Sequence, residues 1–502
     1  MRKFNLRLFI FFSIYLINLS TLNALVTDKI AVKNSMQVTY LKNPKTVDNL
    51  LDIFTEGQLF GRLRTNYLNY NYENENTAKT ADNSAWAYGG SIVYKTASFH
   101  GLSAGAGYYS SHTINTDNLH FKQDGSTYDA GKVPRNVYDK DSGTGDAIDV
   151  LAVSYLEYQF AKTTIKVGRQ IFESAIVNSN DVYMIPNTFE GYSIESKDIP
   201  DTRLRFAYFN QEKLMGHSDF HSVIAFNGAK ENDDGAAHKG LTTHNLNFYG
   251  RDVNPALLLF STENSSVEGL KLNFDALYID DYIASVIPEV NYKIKLTDRW
   301  SLTPGMRYYR QFDKNAGDIG GAALSGAFAV DKSPSAQALA SYKDPGNLDA
   351  AAWMGRVVVS DGVLTLSAGY SDISDKADLV SPWRAFPTAG YTRDLTEFNW
   401  YANTQSYMLR ANYNFSKANI IDGLFIQVDY AKMNVDDEKV KAKTITTTDR
   451  HIFHIDMIQA IRAVVGLELR MRLTFVNANN KPDEYKDYNS YNDLRFELDY
   501  FF

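Results

Sequence analysis

Arginine recurs at two-residue spacing along this chain, at Arg62 and Arg64, Arg203 and Arg205, and Arg470 and Arg472, with Lys293 and Lys295 in the same pattern. Residues two apart project to one face of a β-strand. Rows of guanidinium and ammonium groups on such a face hold or guide carboxylates and other anions. Other chemistry is harder to assemble. His217, His221, His238 and His244 fall in or near one loop region, but their spacing matches no tight metal-ligand motif. No His-Glu-x-x-His or phosphate-binding loop is present. The chain has no cysteine, which removes thiol catalysis, disulfides and Cys-ligated zinc. No catalytic residue, metal site or cofactor is therefore singled out.

The basic residues sit in segments that alternate with period two. Leu59, Leu63, Thr65 and Tyr67 alternate with Phe60, Arg62, Arg64 and Asn66. Leu270, Leu272, Phe274, Ala276 and Tyr278 alternate with Lys271, Asn273, Asp275 and Leu277, and Leu467 to Phe475 alternates with Glu468, Arg470, Arg472 and Thr474. Such segments are strands with two unlike faces. Many reach the roughly 9–11 residues that a tilted strand needs to cross a bilayer. Their apolar sets often end in Tyr, Phe or Trp, as girdles at two membrane interfaces require. If the apolar set faces lipid, the other lines a lumen. Parity then places Arg62, Arg64, Arg203, Arg205, Lys293, Lys295, Arg307, Arg356, Arg410, Arg470, Arg472 and Arg495 inside, with Glu157, Glu195, Asp275, Glu289, Glu468 and Glu497. A charge on the lipid face costs about 2–4 kcal/mol at mid-depth, so this parity is strongly enforced. About half of the arginines are expected to pair with wall carboxylates. The remainder would form a positive strip.

The ends of the chain agree with export to an outer membrane. Met1 to Ala24 reads as a signal peptide: Arg2, Lys3 and Arg7, then the apolar run Leu8 to Ile17, then small and polar residues up to Ala24. Past it no run is long and apolar enough for a spanning helix, and mean hydropathy is −0.32. In lipid only helices and closed barrels satisfy their own backbone. The 33 Tyr and 29 Phe favour strands, and a net charge of −8 argues against a nucleic-acid partner. Short connections (Ala161-Lys-Thr163, Thr297-Asp-Arg299, Ser360-Asp-Gly362) alternate with long ones at 111–147, 229–252, 313–350, 371–405 and 477–492, whose Gly, Asn, Asp and Ser suit solvated loops. Sixteen to eighteen strands would leave roughly 27–30 residues for each strand with its connection. The expected organisation is a signal peptide (1–24), a lead-in too short for a plug (25–56) and a transmembrane antiparallel β-barrel (57–502). At the end, Leu494, Phe496, Leu498, Tyr500 and Phe502 alternate with Asp493, Arg495, Glu497, Asp499 and Phe501. A last strand with a terminal aromatic looks like the signal read by the barrel-assembly machinery, which makes Phe502 the assembly residue.

The stretch 151–208, with its MIPNTFEGYS run at 184–193, resembles the OprD family of outer-membrane porins. Weaker matches are Trp86 to Gly90 with Tyr94 to Thr96, Gly101 to Gly105, Tyr391 to Arg393 and Tyr407 to Arg410. The resemblance implies 18 strands and a constriction made by inward-folded loops. Residues 171–190 match the long third loop, with Asn178, Asn180, Asp181, Pro186 and Asn187 facing the pore. A second inward loop is expected at 371–400, carrying Arg384 and Arg393, together with a basic ladder along one wall. The function implied is passive diffusion of small hydrophilic solutes, with carboxylate-bearing ones favoured. The expected partners are those solutes, outer-membrane lipid and lipopolysaccharide, and the assembly machinery; monomer and loose trimer both stay open. A barrel protease or lipase, or a surface adhesin, is the competing reading.

Overall fold

The computed structural model describes residues 32–34, 38–40, 44–73, 82–117, 147–225, 237–383, 385–394, 397–445, 447–479 and 490–502. The expected signal peptide at 1–24 lies outside them. Eighteen antiparallel strands close into a ring. They are β1 (Gln58–Tyr72), β2 (Asn83–Lys95), β3 (Leu102–Asp117), β4 (Ile148–Phe160), β5 (Thr163–Gln170), β6 (Thr188–Ser196), β7 (Thr202–Lys213), β8 (Leu257–Asn264) and β9 (Leu270–Ile279). The circuit continues with β10 (Ile283–Tyr292), β11 (Ser301–Asp313), β12 (Ala350–Ser360), β13 (Leu364–Ile373), β14 (Gln405–Asn414), β15 (Leu424–Asn434), β16 (Arg450–Ala460), β17 (Leu467–Ala478) and β18 (Tyr491–Phe501). The lead-in is tied to this ring, because Thr46–Val47 pairs in parallel with Ser98–Phe99.

Alternation sets the faces as the sequence pattern requires. On β1, Leu59 and Leu63 are exposed on the outside, whereas Arg62, Arg64 and Asn66 are buried inside. On β18, Asp493, Arg495, Glu497 and Asp499 are buried, and Tyr500 and Phe502 face out. A one-residue slip would put every one of these charges into lipid, so the register is strongly fixed. The ring closes where β18 pairs with β1, from Tyr491 opposite Tyr72 to Phe501 opposite Arg62. Beyond the strand, Gly61 and Phe502 exchange two backbone hydrogen bonds of 3.1 Å. The Phe502 ring covers Gly61, and a Cβ there would fall 2.1 Å from it. Gly61→Val is therefore expected to destabilise the closed barrel by about 1–3 kcal/mol through overpacking, read as a lower temperature for loss of heat-modifiable gel mobility.

All connections at one end are short, including 161–162 and 361–363. At 361–363 Gly362 takes φ +86°, and the Asp361 carboxylate accepts from the amides of Val363 and Leu364. The opposite end carries 171–187, 214–256, 314–349, 374–404 and 435–449, with a three-residue exception at 280–282. Short turns mark the periplasmic side of such barrels and long loops the exterior. Of the expected long connections, those at 111–147 and 477–492 lie mostly outside the described residues, and the others are not solvated strings. Trp383, Trp400, Phe386, Leu324, Ile319, Leu246 and Val223 pack with wall residues such as Phe209, Leu257, Leu277, Ile279 and Tyr309 into one apolar core in the barrel's outer mouth. There the lumen-facing set is itself apolar, so the two-face rule holds for charge only at mid-depth and below.

Candidate functional site

The third loop, 171–187, folds inward and is fastened to the wall. Asn180 adopts a left-handed φ of +40° that turns the chain, and its amide donates to the Asn178 Oδ1 at 2.7 Å. The turn delivers Asp181 to Arg62 and Arg64 on β1. Arg62 also donates to the Met184 carbonyl (3.1 Å), Arg64 to the Tyr183 carbonyl (2.5 Å) and Asn66 to the same carbonyl (3.2 Å). Lys213 at the end of β7 donates to the Pro186 carbonyl at 2.9 Å, and Asn187 ties back to Ser179 and Asn178. Met184 and Ile185 pack against Leu68, Tyr70 and Tyr491. Asn180, Asp181, Pro186 and Asn187 are thus buried holding the loop in place, and Asn178 is half-buried. Parity of the sequence could find Arg62 and Arg64. It could not find their partner 117 residues or more away.

The second inward loop, 374–404, reaches the opposite wall and meets the third where the Asn178 amide donates to the Trp383 carbonyl at 3.1 Å. Glu289 on β10 receives Arg307 (2.5 Å) and Arg356 (3.3 Å). The same guanidiniums donate to the carbonyls of Pro387, Ala389 and Gly390 and stack on the Tyr391 ring. Arg393 lies against the Phe386 ring at 3.2 Å, and Arg384 falls outside the described residues. Nearer the mouth, the buried Asp378 carboxylate accepts from the amides of Leu324 (2.9 Å) and Ala402 (2.8 Å) and from the Tyr342 hydroxyl (2.9 Å). Burial pushes its pKa up to about 6. Because the folded value exceeds the unfolded one, the folded loop binds the proton more tightly, and stability is lost as pH rises through about 6. Native-state hydrogen exchange, corrected for intrinsic rates, should show 374–404 better protected at pH 5 than at pH 7.5, and Asp378→Asn should abolish the difference.

Between the loops the wall carries ordered cross-strand rows. Arg410, Asp429, His454, Thr474, Asp493 and Tyr70 stand opposite one another across β14 to β18 and β1. In the next row Asp456 faces Arg472, and Arg472 faces Arg495. Arg410 pairs with Asp429 (2.6 Å), Arg470 with Asp456 (2.5 Å), Arg472 with Glu497 (3.3 Å) and Arg495 with Asp493 (2.9 Å). Across the lumen Arg203 pairs with Glu195 and Arg205 with Glu263. Every arginine assigned to the lumen wall by parity therefore has a carboxylate partner, where about half were expected to. Lys293 and Lys295 keep the parity but lie exposed at the periplasmic turn, Lys295 beside Glu268. Arg472 is distinctive: among the described residues it is the arginine with two buried guanidinium nitrogens, Nε and Nη1, that lack an acceptor.

Among the described residues the other chemistries find no matching geometry. Gly101 to Gly105 spells Gly-x-Ser-x-Gly, but Ser103 is buried within β3 opposite Glu157, not raised on a strand-to-helix turn. The His217 and His221 rings lie tilted to one another with centroids 5.0 Å apart, His238 is buried beside the Gly321 carbonyl with its pKa pushed down to about 4, and His244 lies on the short helix Thr243–Phe248. Asp394, Asp429 and His454 bring three ligand atoms within 4.8 Å of one another, but Arg410 already engages both Asp429 oxygens.

The closed ring has counterparts among solved structures. Acinetobacter baumannii OccAB1 matches with a TM-score of 0.67 at 14% identity, covering 90% of this chain and 97% of that one. Acinetobacter baumannii OccAB3 matches at 0.66 and 15%, covering 89% and 99%. Pseudomonas aeruginosa OpdK, solved with vanillate, matches at 0.63 and 13%, covering 90% and 99%. No curated protein sequence matches. These identities speak for the fold alone. The family model described as outer membrane porin, OprD family, matches residues 53–502. With nearly the whole barrel inside that match, the chain belongs to the OprD family and sits in the outer membrane.

Proposed function

We propose that this barrel passes small hydrophilic solutes by passive, selective diffusion and favours those bearing a carboxylate, such as organic acids or amino acids. The observation that carries this reading is Arg472. It stands directly opposite Arg495, keeps one long bond to Glu497 and holds two donors without acceptors. Like charges set opposite one another on adjacent strands destabilise, and buried donors without partners add to that. Arg472 itself is 2% exposed, so a solute carboxylate acts on this excess of positive charge across the wall surface, as its counter-charge and without direct contact. OpdK, which shares the fold, was solved with vanillate, itself a carboxylate. The surrounding pairs keep the lumen close to neutral, so the selectivity proposed is local recognition by Arg472, not a strongly positive channel. The loops at 171–187 and 374–404 limit solute size. The seam strand β18 and the outward-facing Phe502 serve as the feature read during assembly.

The test is single-channel recording in planar bilayers with benzoate or a small amino acid added. Current steps and carboxylate-dependent block are expected. Arg472→Gln removes that excess charge and should weaken the block severalfold. A folded barrel without conductance would overturn the pore. Block unchanged by Arg472→Gln would overturn the carboxylate site.

A further inference from the structure

Residues 48–56 lie at the periplasmic rim, and the passage of solutes uses none of them. Three contacts fix them. Thr46–Val47 pairs with Ser98–Phe99, the Ala97 amide donates to the Ile53 carbonyl at 2.9 Å, and the Tyr94 hydroxyl donates to the Phe54 carbonyl at 2.5 Å. Tyr94 shares the outward face of β2 with Trp86, Tyr88 and Ile92, all exposed. A Cβ on Gly57 would lie 2.1 Å from the Tyr94 hydroxyl, so the segment presses flat against the outside of the sheet. Held there, Leu50, Leu51 and Phe54 are 62%, 75% and 68% exposed.

A single exposed leucine means little. Three large apolar side chains within one turn and its flank, pinned to the outer surface of a membrane barrel, form a patch. That patch is continuous with the lipid-facing belt, since Leu59, Leu63, Ile92 and Leu102 follow on the same face. We propose that residues 50–54 are a lipid-seated foot, with Leu50, Leu51 and Phe54 resting in the headgroup and acyl boundary of the periplasmic leaflet. The occupant is a zwitterionic phospholipid. Asp48, Asp52 and Glu56 line the same segment and, among the described residues, Lys45 alone pairs with one of them, Glu56, at 3.0 Å, so an anionic headgroup would be repelled. Short amphipathic elements lie in the interface plane in this way, apolar side down and charged side in water.

The absence of native cysteine gives clean labelling sites. Leu51→Cys and Phe54→Cys, each carrying a nitroxide, would be reconstituted in phosphatidylcholine vesicles. Leu63→Cys on the belt gives the lipid reference and Lys417→Cys on the exposed 415–423 turn gives the water reference. All four are surface positions, and heat-modifiable gel mobility confirms that each variant is folded. The ratio of relaxation by oxygen to relaxation by a water-soluble nickel chelate is expected to be several-fold above that at Lys417 and close to that at Leu63. A ratio at both 51 and 54 equal to that at Lys417 overturns the proposal and leaves the face to water or a soluble partner. Channel conductance in the same vesicles reports separately on the pore.

Discussion

Asp181→Ala is expected to open the channel. The substitution leaves Arg62 with Asp499, at 3.9 Å, as its carboxylate contact, while Arg64 keeps Glu497 and Asp499. Removing one partner of a buried pair costs about 3–5 kcal/mol because the remaining charge stays desolvated. Here the barrel wall cannot move, but the loop can. The relief available is for 171–187 to lift, which lets water reach Arg62. The backbone bonds from Arg62, Arg64 and Asn66 to Met184 and Tyr183 go with it. Single-channel conductance should rise well above that of the native protein, and the melting temperature of the barrel should fall little. Asp181→Asn keeps the shape and a weaker acceptor and should give an intermediate conductance. An unchanged conductance in Asp181→Ala would show that Met184 and Ile185, packed on Leu68 and Tyr70, hold the loop without the ion pair.

Glu289→Gln should change the sign preference of the pore without moving its loops. Glu289 is the carboxylate that answers both Arg307 and Arg356. After the substitution Arg307 still donates to the carbonyls of Pro387 and Ala389, and Arg356 to Gly390 and to the Asn291 Oδ1 at 2.7 Å. The 374–404 loop therefore stays anchored while the constriction loses one negative charge. A unit charge about 4 Å away at an effective dielectric of 20 is worth about 4 kcal/mol, and salt in the lumen screens part of it. Under a salt gradient the reversal potential should move clearly toward anions. A reversal potential that stays where it was would mean that permeating ions pass out of reach of this wall.

Much of the barrel was legible because strand parity is a strict code in lipid. Arg62, Arg64, Arg410, Arg470, Arg472 and Arg495 could be placed inside from alternation alone, since the other choice is a charge in hydrocarbon. The two inward loops were placed by resemblance at 171–190 and 371–400, and the structure bends 171–187 and 374–404 inward. What alternation cannot carry is pairing. Asp181 meets Arg62 across 119 residues, and Glu397 meets Arg450 across 53, by way of loops with no period at all. The apolar mouth was missed for a related reason. Trp383 and Trp400 lie in a loop that keeps no period, so nothing local says which of its side chains turn inward, although both are fully buried. The exposed position of Lys293 and Lys295 was missed because parity gives a face but not a depth.

The seam between β18 and β1 has a consequence for biogenesis. Arg64, on the first strand, finds Glu497 and Asp499 on the last, 433 and 435 residues later. Until that final strand arrives, Arg64 stands at an open edge with Asp181 as its carboxylate partner, and the last strand adds two more. A chain that lacks its last strand therefore leaves Arg64 two carboxylates short, a cost that only closure in register removes.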